Sequence, residues 1–509
     1  MLHTGGPYRN VMITEGITIM NMKKRTHLLL LTAAMLLPLI ASCGSDAEQP
    51  QTTDAATQAD TAVTEPTKEI YDPQLPDMDY GGATFTIAMR GQDYNNDFTI
   101  ESTTGEPVDD AVYARMDYIE STYNIDLELM WCGDTGTSNT GGEMYKKVTQ
   151  LMMAGDNVID AINTSPYCQA GLASTGYLLD MNDIKYINLD QPWWNQNAKE
   201  ALSFYDCVYF CSGDITTGDD RCISVLLFNK DIVKEFDLDN PYDDVRNGTW
   251  TMDKMIENCK VVTGDIDGNG KQDEFDRWGF TFWQDAIFSM ILGTGATVGK
   301  TDADGVPTYT ANDNFFIDAY NKVLELVDKQ YSYNQKMDAQ SGGYNHWAAG
   351  NALYYWGMVS SVIGQRSSEV DFGIIPMPKY SEEQNRYYSE ANAYSTTLVS
   401  VPMTVTDPDR SGLILEALAA YGKQEISPVY LDTLVMVKSV RDEDSAEMLQ
   451  LIFDSQVFDV GYFFNWGNTL NETMNLLNTR GTNIVSTLES LSKKVEKDVQ
   501  ATIDAFTAN

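Results

Sequence analysis

Histidine is nearly absent from this chain of 509 residues, which contains only three. His3 and His27 lie at the very start, so His346 is the one histidine in the rest of the chain. A catalytic site built on histidine would have to use it, and a metal site with several histidine ligands is excluded. We expect His346 to be a surface or packing residue, with a ligand contact as the alternative.

Basic residues are also scarce, with 34 Lys and Arg against 74 Asp and Glu and a formal charge of −40. Residues 1–42 hold four bases and one acid, so a chain without them would carry −43. Such a charge repels phosphate backbones and anionic head groups, which excludes nucleic acid as a partner. Any attachment to a membrane would need a lipid.

Long apolar runs are missing from all but the start of the chain, so no later segment is long enough to span a bilayer. At the start, basic residues at 23–25 precede an apolar run at 28–40, which leads into Ala-Ser-Cys43. This pattern predicts a signal peptide over residues 1–42, with Met22 as an alternative first residue. The cysteine resembles that of a bacterial lipobox and predicts lipidation of Cys43. An ordinary signal peptide with an incidental cysteine is the alternative.

Residues 43–79 form a predicted tether. Between Gly44 and Thr67 the only branched apolar residue is Val63, and no aromatic residue occurs. Such a segment cannot bury enough apolar surface to offset its ordering entropy. As a flexible coil it would span roughly 25–30 Å. The sequence therefore predicts a folded body held just outside the outer face of the cytoplasmic membrane.

Six cysteines follow Cys43, and none forms a CxxC metal pair: Cys132, Cys168, Cys207, Cys211, Cys222 and Cys259. Export would allow disulfides among them. The segment from Cys207 to Cys211 is predicted to be one strand, which places the two thiols roughly 13 Å apart, too far for a bond. A pair between Cys211 and Cys222 and a set of buried free thiols both stay open.

Apolar periodicity predicts an α/β fold. Apolar stretches at 85–89, 125–131 and 158–162 predict strands, and helical stripes at 108–123 and 144–152 lie between them. This order implies a mostly parallel sheet, in which ligands bind beyond the carboxyl ends of strands. A second unit begins near Cys222, with predicted strands at 225–228, 352–356 and 372–375, helices after Thr251 and Asp407, and a long C-terminal helix over 484–503.

An acidic, glycine-containing loop follows the helix after Thr251. Oxygen-bearing side chains occupy its positions 1, 3, 5, 9 and 12, position 6 is glycine, and the carbonyl of Lys271 would fill position 7. This is the spacing of an EF-hand-type or dockerin-type calcium loop, although Asp stands where Glu is usual at the end. An acidic turn stabilised by glycines is the alternative. We predict a structural Ca²⁺ on Asp265, Asp267, Asn269, Lys271, Asp273 and Asp276.

Several sequence blocks, taken in order, resemble the family 1 extracellular solute-binding proteins, the lipid-anchored receptors of carbohydrate ABC importers. The likeness spans roughly residues 82–480, and each block alone is a loose match. The blocks are VDDAVYAR at 108–115, IESTYNI at 119–125, LFNK at 227–230, GTWT at 248–251, NALYYW at 351–356, DFGIIPMP at 371–378 and DPDRSG at 407–412.

The resemblance implies two α/β lobes joined by crossover segments, which close like a hinge around the ligand. It implies a first lobe from residues 80–220 and 377–430, and a second from 221–376 and 431–509. It also implies a sugar or oligosaccharide ligand, the permease subunits of an ABC importer as partners, a monomeric state and no catalysis.

The resemblance further implies which residues contact the ligand. Sugars present apolar faces, which aromatic rings cover, and hydroxyl groups, which polar side chains bind. We expect Trp131, Trp250 and Trp278 to be core residues, and Trp193 and Trp194 to line the cleft or brace a loop. The implied contacts are Arg90, Asp93, Tyr94, Thr164, Ser165, Tyr167, Arg221, Trp283, Gln284, Trp356 and Trp466.

Two other functions stay open from the sequence. An exported glycan-degrading enzyme would work with a pair of carboxylates, and the 73 acids outside residues 1–42 make such a pair easy to find. No GxSxG nucleophile motif occurs. A surface adhesin for glycans or peptides, without a transporter, is the second alternative.

Overall fold

The computed structural model describes residues 70–91, 97–133, 140–336, 338, 345–365, 367–435 and 443–507. The predicted signal peptide, Cys43 and most of the predicted tether lie outside these residues, as do the predicted ligand contacts Asp93 and Tyr94. Among the helices in the described ranges, none has both the length and the apolar character that a bilayer crossing requires.

Strands and helices alternate along the chain. The strands, β1 to β13 in chain order, are Ala83–Met89, Ile125–Trp131, Ala161–Thr164, Ser224–Asn229, Trp278–Phe282, Gly299–Thr301, Pro307–Tyr309, Ser332–Asn334, Ala352–Met358, Phe372–Ile375, Ser389–Glu390, Leu398–Ser400 and Gln456–Val457. The helices, α1 to α17, are Pro107–Tyr123, Glu143–Ala154, Pro166–Ser174, Gln196–Leu202, Gly218–Arg221, Lys230–Glu235, Pro241–Asn247, Met252–Val262, Ala286–Gly293, Asn314–Leu326, Val359–Gly364, Pro408–Tyr421, Ser427–Val435, Glu443–Asp454, Val460–Phe463, Thr469–Asn478 and Ile484–Thr507.

The first lobe is built on a four-stranded sheet in the order β12-β3-β1-β2. Strand β1 is parallel to both neighbours, whereas β12 is antiparallel to β3. Helix α1 buries Val112 and Ile119, which are seven residues apart and therefore share one face of the helix. Phe85 and Ile87 of β1 belong to the same buried cluster as Ile119. The apolar patterns of the sequence thus place β1 and α1 against one core.

The second lobe is built on a five-stranded sheet in the order β10-β4-β9-β5-β8. Strands β5, β8 and β9 run parallel, and β4 is antiparallel to both β9 and β10. Ser224 at the start of β4 pairs with Met358 at the end of β9. The carboxyl ends of β5 and β9 therefore lie on the same edge of the sheet as the point where the chain enters from the first lobe.

Over the residues that the structure describes, the chain crosses between the two lobes three times. The first crossover runs from Cys211, which pairs with Val399, to the start of β4, and the second runs from β10 to β12. Ile223 pairs with Ala391, so these two crossovers lie side by side. The third lies between α12, which packs against α1 of the first lobe, and α14, which packs against β10 of the second. The lobe boundaries given above stay a prediction.

Two details of the sequence analysis were wrong. The strand predicted at 158–162 begins later, at Ala161, and ends at Thr164. Asp160 lies before it because its side chain bonds to β1: Asp160 Oδ2 accepts from Thr86 N at 2.8 Å. The segment from Cys207 to Cys211 is no strand; it has only isolated bridges to other segments. All six cysteines after Cys43 are free thiols, so the pair between Cys211 and Cys222 is not formed.

Candidate functional site

Four predicted contacts lie at the carboxyl ends of β1 and β3, as expected for a parallel sheet: Arg90, Thr164, Ser165 and Tyr167. Arg90 is fully buried, and its guanidinium donates to the carbonyl oxygen of Tyr394 at 2.8 Å and to that of Ser395. Ser165 caps α3, since its Oγ accepts from Cys168 N at 3.4 Å. Arg90 and Ser165 thus fix the backbone of the site.

Two side chains at the end of β3 are left without partners. The amide of Asn163 and the hydroxyl of Thr164 are buried, and within the described residues neither forms a hydrogen bond. A buried polar group without a partner costs free energy, so these two side chains have unused hydrogen-bonding capacity, although the protein shields them from solvent. Asn163 was missed because nothing in its sequence context distinguishes it from other strand-end residues.

Tyr167 contacts the second lobe and the second crossover. Its ring meets that of Tyr394 edge-on, with centroids 6.4 Å apart and an interplanar angle of 88°, and that of Tyr462 at 5.8 Å and 75°. Glu390 lies beside these rings and accepts from Ser224 Oγ at 2.9 Å. Burial raises the pKa of Glu390 to about 7. This cluster could not be predicted from local sequence patterns, because its members are distant in the chain.

The region where the two lobes meet is called the junction here. On its second-lobe side, the predicted ligand contacts begin directly after β5. Trp283 is 43% exposed, and Lys336 Nζ lies 5.7 Å from the centroid of its ring. Gln284 is half-buried beside it. Burial raises the pKa of Asp285, and the Lys336 charge opposes that rise. Trp356 is only 8% exposed, and its Nε1 donates to Ser289 Oγ on α9 at 2.9 Å, so little of its ring is open to a ligand.

The prediction that Trp466 contacts the ligand is wrong, because Trp466 does not lie in a cleft. Its side chain is fully buried, and its Nε1 donates to Thr502 Oγ1 on α17 at 3.0 Å. The ring fills the space beside Gly299, where an added Cβ would lie 2.3 Å from it. Trp466 is therefore a core residue that joins β6 to the C-terminal helix.

Other aromatic and histidine candidates are also core residues. Trp193 and Trp194 are buried, and Trp194 Nε1 donates to Glu416 Oε2 at 2.8 Å, so this pair braces the first lobe. His346 is fully buried and lies 4.4 Å from the ring of Tyr333. Burial lowers the pKa of His346, which suits a packing residue.

Arg221 lines a cavity of about 340 Å³ between the lobes. Its walls come from the start of α1, the first crossover, α11 and α13, and they include both polar and apolar side chains. They are formed by Asp97, Glu106, Pro107, Val108, Asp109, Val112, Thr217, Arg221, Ser360, Ile363, Gly364, Tyr430 and Thr433. Only Arg221 of these residues was expected at the site, since the other walls are assembled by the crossing of helices from different parts of the chain.

Buried carboxyl groups surround the first crossover. Asp219 Oδ2 accepts from Asn195 Nδ2 at 3.3 Å, and Asp220 Oδ1 accepts from Gln456 Nε2 at 3.4 Å. Burial, together with nearby Asp214, raises the pKa of Asp219 to about 7. These groups carry less negative charge at neutral pH than their number implies.

The predicted calcium loop lies between α8 and β5. Asp265, Asp267 and Asp276 each offer a carboxylate oxygen, and these oxygens all lie within 4.8 Å of one another. Asp276 is fully buried, and its Oδ1 accepts from Ile266 N at 2.9 Å. Asn269 Nδ2 donates to Asp273 Oδ2 at 3.1 Å. A hard cation that prefers oxygen ligands fits this donor set.

Two α/β lobes, three crossovers and a polar and aromatic junction define a two-lobe ligand-binding protein. Residues 135–405, more than half of the chain, match the bacterial extracellular solute-binding protein family. The chain belongs to this family, as its sequence blocks predicted. Membership indicates that the protein binds its ligand and does not transform it. A comparison with curated proteins finds no match.

Solved structures confirm the two-lobe fold. The ABC substrate-binding protein Lmo0181 of Listeria monocytogenes, in complex with cycloalternan, is 13% identical with a TM-score of 0.54, covering 82% of this chain and 99% of that one. UspC of M. tuberculosis is 13% identical with a TM-score of 0.54, covering 82% and 100%. The maltose/maltodextrin-binding domain MalE of Bdellovibrio bacteriovorus, bound to maltotriose, is 15% identical with a TM-score of 0.50, covering 82% and 100%.

Proposed function

We propose that the protein captures a carbohydrate between its two lobes and delivers it to the permease of an ABC importer. The observation that carries this proposal is the composition of the junction. Trp283 and Tyr394 expose ring surface, and polar side chains that include Arg221, Asp97 and Glu106 line the cavity of about 340 Å³. Aromatic faces combined with a few polar anchors suit a sugar. The sugars bound by Lmo0181 and by MalE of B. bacteriovorus support the same class of ligand.

A thermal-shift screen tests the binding step. Mono- and oligosaccharides, including maltotriose and cycloalternan, are added one at a time, and a ligand raises the melting temperature because it binds only the folded state. Chromatography of the incubated sugar follows. A hit that is recovered intact supports the proposal, whereas cleavage products would support the exported enzyme. No shift with any carbohydrate contradicts the proposal.

Uptake in the source bacterium tests the importer. Deletion of the gene should abolish uptake of the sugar, and the wild-type protein should restore it. The variant Trp283→Ala should restore it only in part. An adhesin without a transporter would leave uptake unchanged in the deletion strain.

We also propose that the protein is anchored to the outer face of the cytoplasmic membrane through lipidated Cys43. The basic flank, the apolar run and the polar tether support this. Cys43→Ala should appear in the medium. Cys207→Ala, which removes a half-buried thiol of the body, is the matched control and should stay with the membrane. Retention of Cys43→Ala would contradict the lipid anchor.

A structural calcium site on the 265–276 loop is part of the same proposal. Three carboxylate oxygens within 4.8 Å repel one another, and a divalent cation would relieve that repulsion. Asn269, Asp273 and the carbonyl of Lys271 would complete the ligands. The loop follows α8 at its C-terminal end and precedes β5, whose other end leads to Trp283. Calcium would thus stabilise the second lobe without contacting the ligand.

A further inference from the structure

One helical segment reaches from the first lobe into the second. It begins with α12 and continues without a break through α13, from residue 408 to residue 435. Its α12 part is fixed to the first lobe, since Ser411 Oγ donates to the carbonyl oxygen of Asp160 at 2.8 Å. In its α13 part, Tyr430 belongs to the same buried cluster as Val225 of β4 in the second lobe. Any motion of one lobe against the other must therefore bend this segment or shift one of its ends.

The segment has an irregular turn in its middle. Between α12 and α13, Gly422–Ile426 form a π-helical turn, in which Ser427 N donates to the carbonyl oxygen of Gly422, five residues back instead of four. Such turns are rare, and sharp kinks in helices occur at them. This π turn is therefore the point at which the segment bends most easily.

Asp214, at the start of the first crossover, contacts the π turn with its carboxylate. Lys423 Nζ lies 3.4 Å from Asp214 Oδ2, and Ser427 Oγ donates to Asp214 Oδ1. The backbone of Asp214 is itself fixed to the first lobe, since its N donates to the carbonyl oxygen of Trp193 at 2.9 Å. These contacts tie the π turn to the first lobe just before α13 begins.

Two further contacts fix the position of the π turn. A Cβ added at Gly422 would lie 1.7 Å from the carbonyl oxygen of Asp214, so only glycine allows the turn to approach this closely. On another side, Gln424 Oε1 accepts from Tyr71 N at 3.1 Å, in the segment that precedes β1. Two segments that are distant in the chain thus converge on these five residues.

We propose that the π turn is the point at which the third crossover bends when the lobes move, and that Asp214 is the latch that holds it against the first lobe. Because the turn lacks the regular hydrogen bonds of an α-helix, bending there disturbs fewer bonds than bending within α12 or α13. Asp214 is a positioning residue, since it acts through Lys423 and Ser427. The proposal goes beyond the proposed function, because it concerns the motion of the lobes and not the identity of the ligand.

Amide hydrogen exchange without ligand tests the latch. Asp214→Asn keeps an oxygen acceptor for Ser427 but loses the ion pair with Lys423. Its amides at 423–428 should exchange about 3- to 10-fold faster than those of the wild type, as for the loss of one partly exposed ion pair, while those at 413–419 in α12 keep their rates. Unchanged exchange at 423–428 overturns the latch, and so does equal acceleration in both ranges, which would indicate global destabilisation.

Two controls and a second variant separate the latch from a general loss of charge. Lys423→Arg keeps the ion pair and should exchange as the wild type. Asp371→Asn, which removes an ion pair of the second lobe with Lys230 at 3.8 Å, should leave the π turn unaffected. Acceleration of the π turn by Asp371→Asn to the same extent would overturn the latch.

The second variant, Gly422→Ala, places a methyl group against the Asp214 carbonyl and should accelerate exchange at 423–428 as Asp214→Asn does. Gly364→Ala on α11 is its matched control, since an added Cβ there meets nothing within 4 Å, and it should exchange as the wild type. Wild-type exchange in Gly422→Ala would contradict the close contact on which the latch depends.

Crystal structures without ligand and with maltotriose, or with the neutral oligosaccharide that gives the largest thermal shift, test the bending point. Helix α12 should superpose with the first lobe in both structures, and α13 should rotate relative to α12 about the π turn. A segment 408–435 that stays rigid while the lobes rotate overturns the proposal, and so does binding without rotation. If no saccharide binds, the proposed function fails, whereas the exchange rates without ligand still decide whether Asp214 is the latch.

Discussion

Glu390 gives a sharp test of the junction, because it is a buried carboxyl group without a cationic partner among its hydrogen bonds. It is 1% exposed, and it accepts from Ser224 Oγ at 2.9 Å and from Asn392 Nδ2 at 3.4 Å. Burial raises its pKa from 4.5 to about 7. Glu390→Gln keeps an oxygen acceptor for Ser224 and removes the titration.

The sign of the effect follows from proton linkage. Between about pH 4.5 and pH 7 the folded state holds the Glu390 proton more tightly than the unfolded state. Stability from this group is therefore complete below pH 4.5 and is lost as the pH rises to 7. A shift of this size corresponds to about 3 kcal/mol as an upper bound. The variant escapes this loss, so its stability relative to the wild type should increase with pH.

Urea denaturation of both proteins at pH 5, 6, 7 and 8, without ligand, measures the difference. Glu390→Gln should gain about 1–3 kcal/mol relative to the wild type between pH 5 and pH 8. Comparing the two proteins cancels the titration of all other acids. Glu128→Gln, on the exposed side of β2, controls for the loss of one surface charge. A difference that stays constant from pH 5 to pH 8 would refute the assignment of Glu390 as a buried, mostly protonated acid.

Three further predictions concern the core, the calcium loop and the thiols. Trp466→Ala should lower the free energy of unfolding in urea by about 3–5 kcal/mol, whereas Trp283→Ala should cost less because its ring is 43% exposed. A calcium chelator should lower the melting temperature of the wild type, and added Ca²⁺ should restore it. Asp276→Asn should respond weakly to both, and an unchanged melting temperature in the wild type would contradict the calcium site. Reductant should leave the melting temperature unchanged, since the six cysteines of the body are free thiols, and a marked drop would reveal a disulfide.

Most of the fold could be predicted from local sequence patterns. Helix α8 buries Met252, Met255, Ile256 and Cys259 on one face. Apolar residues at helical spacing share a face, and that face is removed from water only when it packs against the core. Asp407 begins α12 as expected, with its side chain accepting from Arg410 N at 3.0 Å. The start of β3 was misplaced, since a short apolar run does not reveal which of its residues pair with neighbours.

The junction was harder to foresee, because it depends on contacts between distant residues. Tyr167, Glu390 and Tyr462 meet only through the crossing of the chain between the lobes, and no local signal marks Tyr430. Trp466 was misassigned because a tryptophan on a late loop has the same sequence context whether it faces a cleft or a helix. Its actual partner, Thr502 on α17, lies 36 residues further along the chain.

The central claim is that a carbohydrate binds between the lobes, and titration calorimetry of the neutral oligosaccharide from the screen tests it most directly. Stacking of a sugar face on Trp283 is worth roughly 1–3 kcal/mol by burial of comparable apolar area. Trp283→Ala should therefore weaken binding about 5- to 150-fold. Phe315→Ala, which removes a ring of similar exposure (41%) on α10, should bind as the wild type. Equal affinity of Trp283→Ala and the wild type would contradict the account.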